Sequence, residues 1–358
     1  MSLSPTEKKS ELKSPAEPES GRQTEPKLTG QSEPKTQQQK SLLQEKELQS
    51  EQDWLAQKEK GSPIALAFIV GFFKILGPKL THFLTYFIVW FYYLTDAAKR
   101  GYIRDYLSQL HEFSGEKSPF KARPGFSDSM KLYQSFGETI VDRFTNWINP
   151  EAANFEFNWE GHELLQNQVD TGRGAIVMSG HFGNIEALRA KASGKNLPVK
   201  MLMFVENAQK YLKMLAGVNP KVMDHLICLK SMDIGNLNLL QNEIKQGNLI
   251  GILADRITPG APGKVTQIRM LGKPASFPQG PFVLATILEV PVYTIFVIKT
   301  GPRKYSVQVK SIYDGQKVLR KERQSTIEAM QIAYKTVWEE LCILYPYQWF
   351  NFFNFWKS

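Results

Sequence analysis

Hydrophobic and polar positions divide the chain into three stretches. Residues 1–60 carry no apolar period: Lys, Glu, Gln, Ser and Pro dominate, as in PTEKKSELKSPAEPES, and no aromatic residue precedes Trp54. Such a segment cannot bury enough apolar surface to offset its ordering entropy, so residues 1–60 are predicted to be a disordered polar tail. Residues 61–112 hold the most apolar run, SPIALAFIVGFFKILGPKLTHFLTYFIVWFYYLT from Ser62 to Thr95, and are predicted to be a membrane-associated helical region. From residue 113 to 358, helical and strand periods alternate.

In that last stretch, SDSMKLYQSFGETIVDRFTNWIN carries Met130, Leu132, Phe136, Ile140, Val141, Phe144 and Trp147 at spacings that fit a long amphipathic helix. The short apolar runs AIVMS, VKMLMF, LICL, LIGILA and VYTIFVIK read as buried strands, and YSVQVKSIY as a last one. Between them IEALRAKA, AQKYLKMLAG, IGNLNLLQNEIKQG and PFVLATILE read as helices, with STIEAMQIAYKTVWEELCILYP as a closing helix. This alternation predicts an α/β domain whose largely parallel central sheet is flanked by helices. No internal repeat is visible.

A bilayer-spanning helix needs about 20 apolar residues. Here Lys74 closes the first run, and Gly77, Pro78 and Lys79 separate it from the second, Thr81 to Thr95. One reading is a single spanning helix kinked at Pro78. Another is a pair of helices lying in the interface, with Trp90, Tyr92 and Tyr93 at headgroup depth. A third is a helical hairpin packed on the globular core. If the segment spans, the basic residues of AAKRGYIRDYL face the cytoplasm.

Charge narrows the choice of partner. The chain has 44 Lys and Arg against 35 Asp and Glu, and the first 60 residues hold ten against eleven, so the basic excess belongs to the rest. A basic, aromatic-rich domain can face nucleic acid or an anionic membrane. Without zinc-finger spacing or an aromatic RNA-binding signature, a lipid bilayer is the expected partner and nucleic acid is not. Cys228 and Cys342 both lie in apolar runs and are expected to be buried free thiols, which suits a reducing cytosol. The N-terminus has no apolar core of a signal peptide, so none is expected.

Candidate chemistry concentrates in GAIVMSGHFGNIEALRA. The strand AIVMS ends at Gly180, Asn184 is a candidate helix cap, and His181 therefore sits at the carboxyl end of a strand, where open α/β sheets place ligands. On one continuous helix His181 and Glu186 would lie about 140° apart and could not meet. The break at Gly183 removes that obstacle, so with His181 in the loop and Glu186 in the first helical turn a side-chain hydrogen bond between them becomes possible, one that would raise the basicity of the other ring nitrogen. Such a pair suits a general base; a structural loop histidine is the alternative. Other motifs fail: Val177 and His181 occupy the glycine places of a nucleophile elbow, GAPGKV lacks the Ser or Thr of a phosphate loop, and GRGAIV lacks a third dinucleotide-binding glycine. No metal pattern is present, so neither a metal nor a bound cofactor is expected.

With HFGNIE after a strand, ILADR some way on, then GKPASFPQGP and YPYQWFNFFNFW, the chain from about Trp54 to Trp356 resembles the bacterial lipid A lauroyl/myristoyl acyltransferase-like family of the lysophospholipid acyltransferase superfamily. The resemblance implies a transferase on the cytoplasmic face of a bacterial inner membrane. It would move a fatty acyl group from acyl carrier protein or acyl-CoA, as co-substrate, onto a hydroxyl of a lipid acceptor. It also implies His181 as base and Glu186 as its partner, with Asp255, Arg256, Lys273 and Gly280 binding substrate. From the residues themselves, Asp255 ends LIGILA at the same sheet edge as His181. It either binds the acceptor and positions Arg256, or forms a structural ion pair. Arg256, Lys264, Arg269 and Lys273 read either as a cationic rim for phosphate or as a solvated basic face. Gly280 reads as a close approach to an oxyanion or as a turn glycine.

Two blocks depart from the family: MFVENAQK has Glu206 and Asn207 where an arginine is usual, and QWFNFFNFW replaces a block rich in His and Arg. Both point to an acceptor less anionic than lipid A. With WLAQKEKGS before the apolar helix and FGETIVDRF later, the chain resembles acyltransferases found near polyketide-like or aryl polyene lipid pathways, which implies an aryl polyene-type lipid as an acceptor. A catalytically silent lipid-binding or scaffolding protein is the alternative function.

Overall fold

The apolar runs form the middle of a sheet covered on both faces. The computed structural model describes residues 80–356 apart from 82, 149–152, 193–196, 205–216, 218–219, 230 and 258–263. The predicted polar tail, the apolar residues before Leu80, most of AQKYLKMLAG, and Glu206 with Asn207 lie outside the described residues. By contacts the chain divides into Met1–Lys58 and Glu59–Ser358, and all of the described residues belong to the second unit.

Nine strands run in chain order: β1 (Glu156–Glu160), β2 (Ile176–Ser179), β3 (Val199–Phe204), β4 (Leu226–Leu229), β5 (Leu249–Leu253), β6 (Val265–Met270), β7 (Lys273–Pro278), β8 (Val292–Gly301) and β9 (Lys304–Tyr313). Seven form one sheet of order β1-β9-β8-β2-β5-β3-β4, while β6 and β7 make a separate antiparallel hairpin. Within the large sheet only the β8–β9 pairing is antiparallel. The largely parallel sheet expected from the sequence is thus present.

Alternate residues of the central strands feed two cores. Ile176 and Met178 of β2 join one, Ala175 and Val177 the other. Burial on both sides explains why these strands read as unbroken apolar runs. The first core is covered by α1 (Ala97–Ser114), α6 (Gly280–Leu288) and α7 (Arg323–Leu344), with Leu240 and Ile244 of α5 (Ile234–Lys245). The second takes Leu165 of α3 (His162–Asp170) and Ala187 and Leu188 of α4 (Ile185–Ala192). The long amphipathic helix α2 (Phe126–Ile148) buries Leu132, Val141, Phe144 and Trp147, as its period predicts.

Residues 83–95 are helical and lie on α2, burying Val89 and Tyr93. Gly137 makes this approach possible: a Cβ there would stand 2.5 Å from Val89 Cγ2. The remaining face of the 83–95 helix exposes Phe83, Tyr86, Phe87, Ile88, Trp90, Phe91 and Leu94. Among the described residues no helix is long and apolar enough to cross a membrane.

Strand β1, helix α3 and strands β6 and β7 have no counterpart in the predicted set. The edge strand β1, EFNWE, alternates exposed and half-buried positions, and its polar residues hide it. Helix α3 is short and mostly polar. The β6–β7 hairpin turns on Leu271 (φ 50°) and Gly272 (φ 82°), a primed-type turn that strand twist favours but that leucine rarely occupies. Burial and two hydrogen bonds hold Leu271 there: its N–H donates to Glu339 Oε1 at 2.7 Å and its carbonyl accepts from Gln109 Nε2 at 2.6 Å. The cysteines divide: both are free, Cys342 is buried as expected, but Cys228 is exposed, because alternation on edge strand β4 turns it away from the core.

Candidate active site

Parallel register brings two distant residues side by side. Along β2 and β5 the partners run from Ile176 with Ile250 to Ser179 with Leu253. Continuing that register two residues past the strand ends sets His181 beside Asp255. The His181 ring contacts the carboxylate through Nδ1, at 3.0 Å from each Asp255 oxygen. Two bonds to Ser179 O fix the approach of the chains, Ala254 N at 2.9 Å and Tyr334 Oη at 2.9 Å.

Glycines permit this crowding. A Cβ on Gly180 would lie 2.1 Å from ring atoms of Trp338 and 3.0 Å from Asp255 Cγ. Gly183 has φ +64° and packs so closely on β8 that a Cβ would meet Val297 O at 2.1 Å. The chain therefore breaks at Gly183, as the sequence predicts, before α4 begins.

The loop is then fastened on both sides. Phe350 N donates to His181 O at 3.1 Å and Gly183 N to Gln348 O at 2.9 Å, so residues 348–350 run antiparallel to it. Gln348 also spans β8, accepting from Lys299 N at 2.9 Å and donating to Lys299 O at 2.8 Å. On the other side Asn184 N donates to Val297 O at 2.7 Å. Asn184 flanks α4 as expected, but its side chain does not cap it. The carboxamide Nδ2 donates to Tyr305 Oη at 3.2 Å instead, and Ala187 N bonds the Asn184 carbonyl at 3.0 Å.

Electrostatics assign the protons. Burial by itself raises the Asp255 carboxyl, but the charge and hydrogen bond of His181, then Arg256, outweigh it and hold the group below the ordinary aspartate value. Asp255 is thus a carboxylate, which only accepts, so Nδ1 carries the hydrogen and Nε2 keeps its lone pair when the ring is neutral. Asp255 is 5% exposed whereas the His181 side chain is 37% exposed, so a buried anion orients a base that solvent can reach.

Arg256 completes the cluster. Its Nε lies 3.7 Å from Asp255 Oδ2, its Nη2 donates to Phe350 O at 3.2 Å, and its guanidinium sits 4.8 Å from the Phe353 ring centroid. Close by in the sequence, Asn351 is buried, and neither amide atom has a hydrogen-bond partner among the described residues.

The other expected site residues make different contacts. Glu186 falls in the first turn of α4, which packs on α2, and its carboxylate accepts from Trp147 Nε1 at 3.4 Å while its carbonyl accepts from Asn146 Nδ2 at 2.9 Å. The carboxylate that reaches His181 is that of Asp255, not Glu186. Lys273 stands on the hairpin with its Nζ 6.0 Å from the Trp356 ring centroid, and Arg269 is turned onto Gly272 O at 2.9 Å. Gly280 opens α6, and a Cβ there would meet nothing within 4 Å, so space does not demand glycine. Sequence reasoning missed Tyr334 and Trp338 as site residues, and it read residues 348–350 only as part of the YPYQWFNFFNFW block, not as the segment that holds the His181 loop. Among the described residues no group of three or more His, Cys, Asp or Glu could hold a metal ion.

Fold and site together define a parallel α/β protein with a carboxylate-oriented histidine at the strand ends. A family model described as bacterial lipid A biosynthesis acyltransferase matches residues 129–358, well over half of the chain, and the protein belongs to that family. Membership makes it an acyltransferase acting on a lipid precursor. Among curated proteins none matches the chain.

Proposed function

We propose that this protein moves a fatty acyl group from an acyl thioester, carried by acyl carrier protein or CoA, onto a hydroxyl of a membrane lipid or glycolipid precursor. The observation that carries this reading is the His181–Asp255 pair at the carboxyl ends of neighbouring parallel strands. His181 Nε2 takes the proton of the acceptor hydroxyl as its oxygen attacks the thioester carbonyl. The tetrahedral intermediate collapses with cleavage of the carbon–sulfur bond, and the imidazolium returns the proton to the departing thiolate. No enzyme-bound nucleophile is required. Asp255 keeps the ring in the tautomer this needs, and Arg256 offers a cation to phosphate on either substrate.

The protein is proposed to work on the cytoplasmic face of a bacterial inner membrane. The exposed aromatic and aliphatic face of residues 83–94 supports that placement, since soluble proteins rarely show contiguous apolar patches of this kind. The absence of His and Arg from QWFNFFNFW, residues 348–356, supports an acceptor less anionic than lipid A.

The direct test is acyl transfer by purified protein, given acyl-carrier and acyl-CoA donors with a total lipid extract and products read by mass. His181→Ala, shown to be folded, is expected to lose about 100-fold to 10,000-fold in rate. Wild-type transfer by that variant would remove His181 from the mechanism.

A further inference from the structure

A chain of buried polar groups leads away from the catalytic loop. Apart from the His181–Asp255 contact, residues 181–184 are fastened to neighbouring elements by backbone bonds to Phe350, Gln348 and Val297 and by one bond between side chains, Asn184 Nδ2 to Tyr305 Oη. Tyr305 Oη in turn lies 2.5 Å from Asp142 Oδ2. Lys299 Nζ reaches the same Asp142 oxygen at 2.8 Å and Glu138 Oε2 at 2.9 Å.

Donor logic gives this chain a single direction. Lysine and an amide nitrogen only donate and a carboxylate only accepts, so the Tyr305 hydroxyl must donate to Asp142 and accept from Asn184. Burial and then the Asp142 charge push the Tyr305 hydroxyl above its ordinary range. For Lys299, burial opposes the charge, but Asp142 and Glu138 outweigh it and keep the ammonium protonated. The arrangement fixes which end of the Asn184 carboxamide faces Tyr305 and leaves its Oδ1 buried without a partner among the described residues. That orientation costs the helix a side-chain cap, so something other than helix stability is served by it.

We propose that Tyr305, held by Asp142 and Lys299, is a positioning residue that fixes the His181 loop through Asn184. It touches no substrate. It sets the loop against β8 so that the imidazole meets both Asp255 and the acceptor, and it deepens the functional reading above, on which its effect on turnover rests.

Tyr305→Phe keeps the ring contacts with Phe155 and Phe157 and removes only the hydroxyl. Asn184→Ala breaks the same bond from the other end and serves if the first variant does not fold. In each folded protein, acyl transfer is measured alongside NMR of histidine labelled at Cε1. The chain holds five histidines, and His181→Ala assigns the relevant resonance. Turnover is expected to fall about 10-fold to 100-fold with KM nearly unchanged, as for a small misplacement of a reacting group, and the His181 resonance is expected to move. An unmoved resonance in a folded variant, or a moved one with wild-type turnover, overturns the proposal. Full activity in the His181→Ala control would instead overturn the functional reading, while the resonance still tests whether Tyr305 positions the loop.

Discussion

At the scale of single residues, the site turns on which carboxylate serves His181. The strand-end position of the histidine was legible, because AIVMS stops at a glycine and a helix pattern follows at once. Asp255 was legible as a residue of the same sheet edge. Their pairing was not, since it depends on β5 lying next to β2, and nothing local encodes that adjacency. Glu186 was favoured by nearness in sequence, yet the turn at Gly183 starts α4 in a direction that carries its side chain to Trp147. Asp255→Asn is therefore expected to cut turnover by about 100-fold or more, by analogy with loss of the tautomer-holding aspartate in hydrolytic triads, and Glu186→Gln to cost less. The pH dependence has a definite sign. Asp255 is lowered on folding, so its contribution to stability is present above about pH 3.9, the unfolded aspartate value, and is lost as pH falls through the lower folded value. The melting-temperature gap between wild type and Asp255→Asn should accordingly shrink as the pH is taken below 4.

At the scale of elements, the central strands and α2 were readable because burial on both faces or on one helical stripe leaves a plain apolar signature. The β6–β7 hairpin and β1 were not, because exposed alternating positions dilute it and Leu271 occupies a turn conformation usually left to Gly or Asn. The contact between the 83–95 helix and α2 offers a clean test of packing. Gly137→Leu places a side chain where even a Cβ stands 2.5 Å from Val89 Cγ2 and 2.9 Å from Thr85 Cγ2. Chemical denaturation should show a loss of about 1–3 kcal/mol from overpacking. Glu138 neighbours Gly137 on α2 and holds Lys299, so the same variant should also lower turnover if strain passes along the helix.

At the scale of the whole molecule, the apolar face of residues 83–94 and the His181 site belong to one contact unit. Phe87 and Phe91 are both largely exposed, so replacing them by Glu should leave the fold intact. The doubly substituted protein is expected to sediment markedly less with phosphatidylglycerol vesicles than the wild type, and equal sedimentation would show that this face is not the attachment surface. The composition of the chain carried that reading from the start, whereas the placement of the face beside α2 required the fold.

The backbone clasp between residues 181–183 and 348–350 also has a bearing on biosynthesis. His181 leaves the ribosome long before Phe350, so the loop after β2 gains its backbone bonds to residues 348 and 350 only once that later segment arrives. A nascent chain interrupted before Trp349 would carry both residues of the His–Asp pair and still lack the segment whose backbone holds His181 and Gly183, so truncated translation products are expected to be catalytically inert.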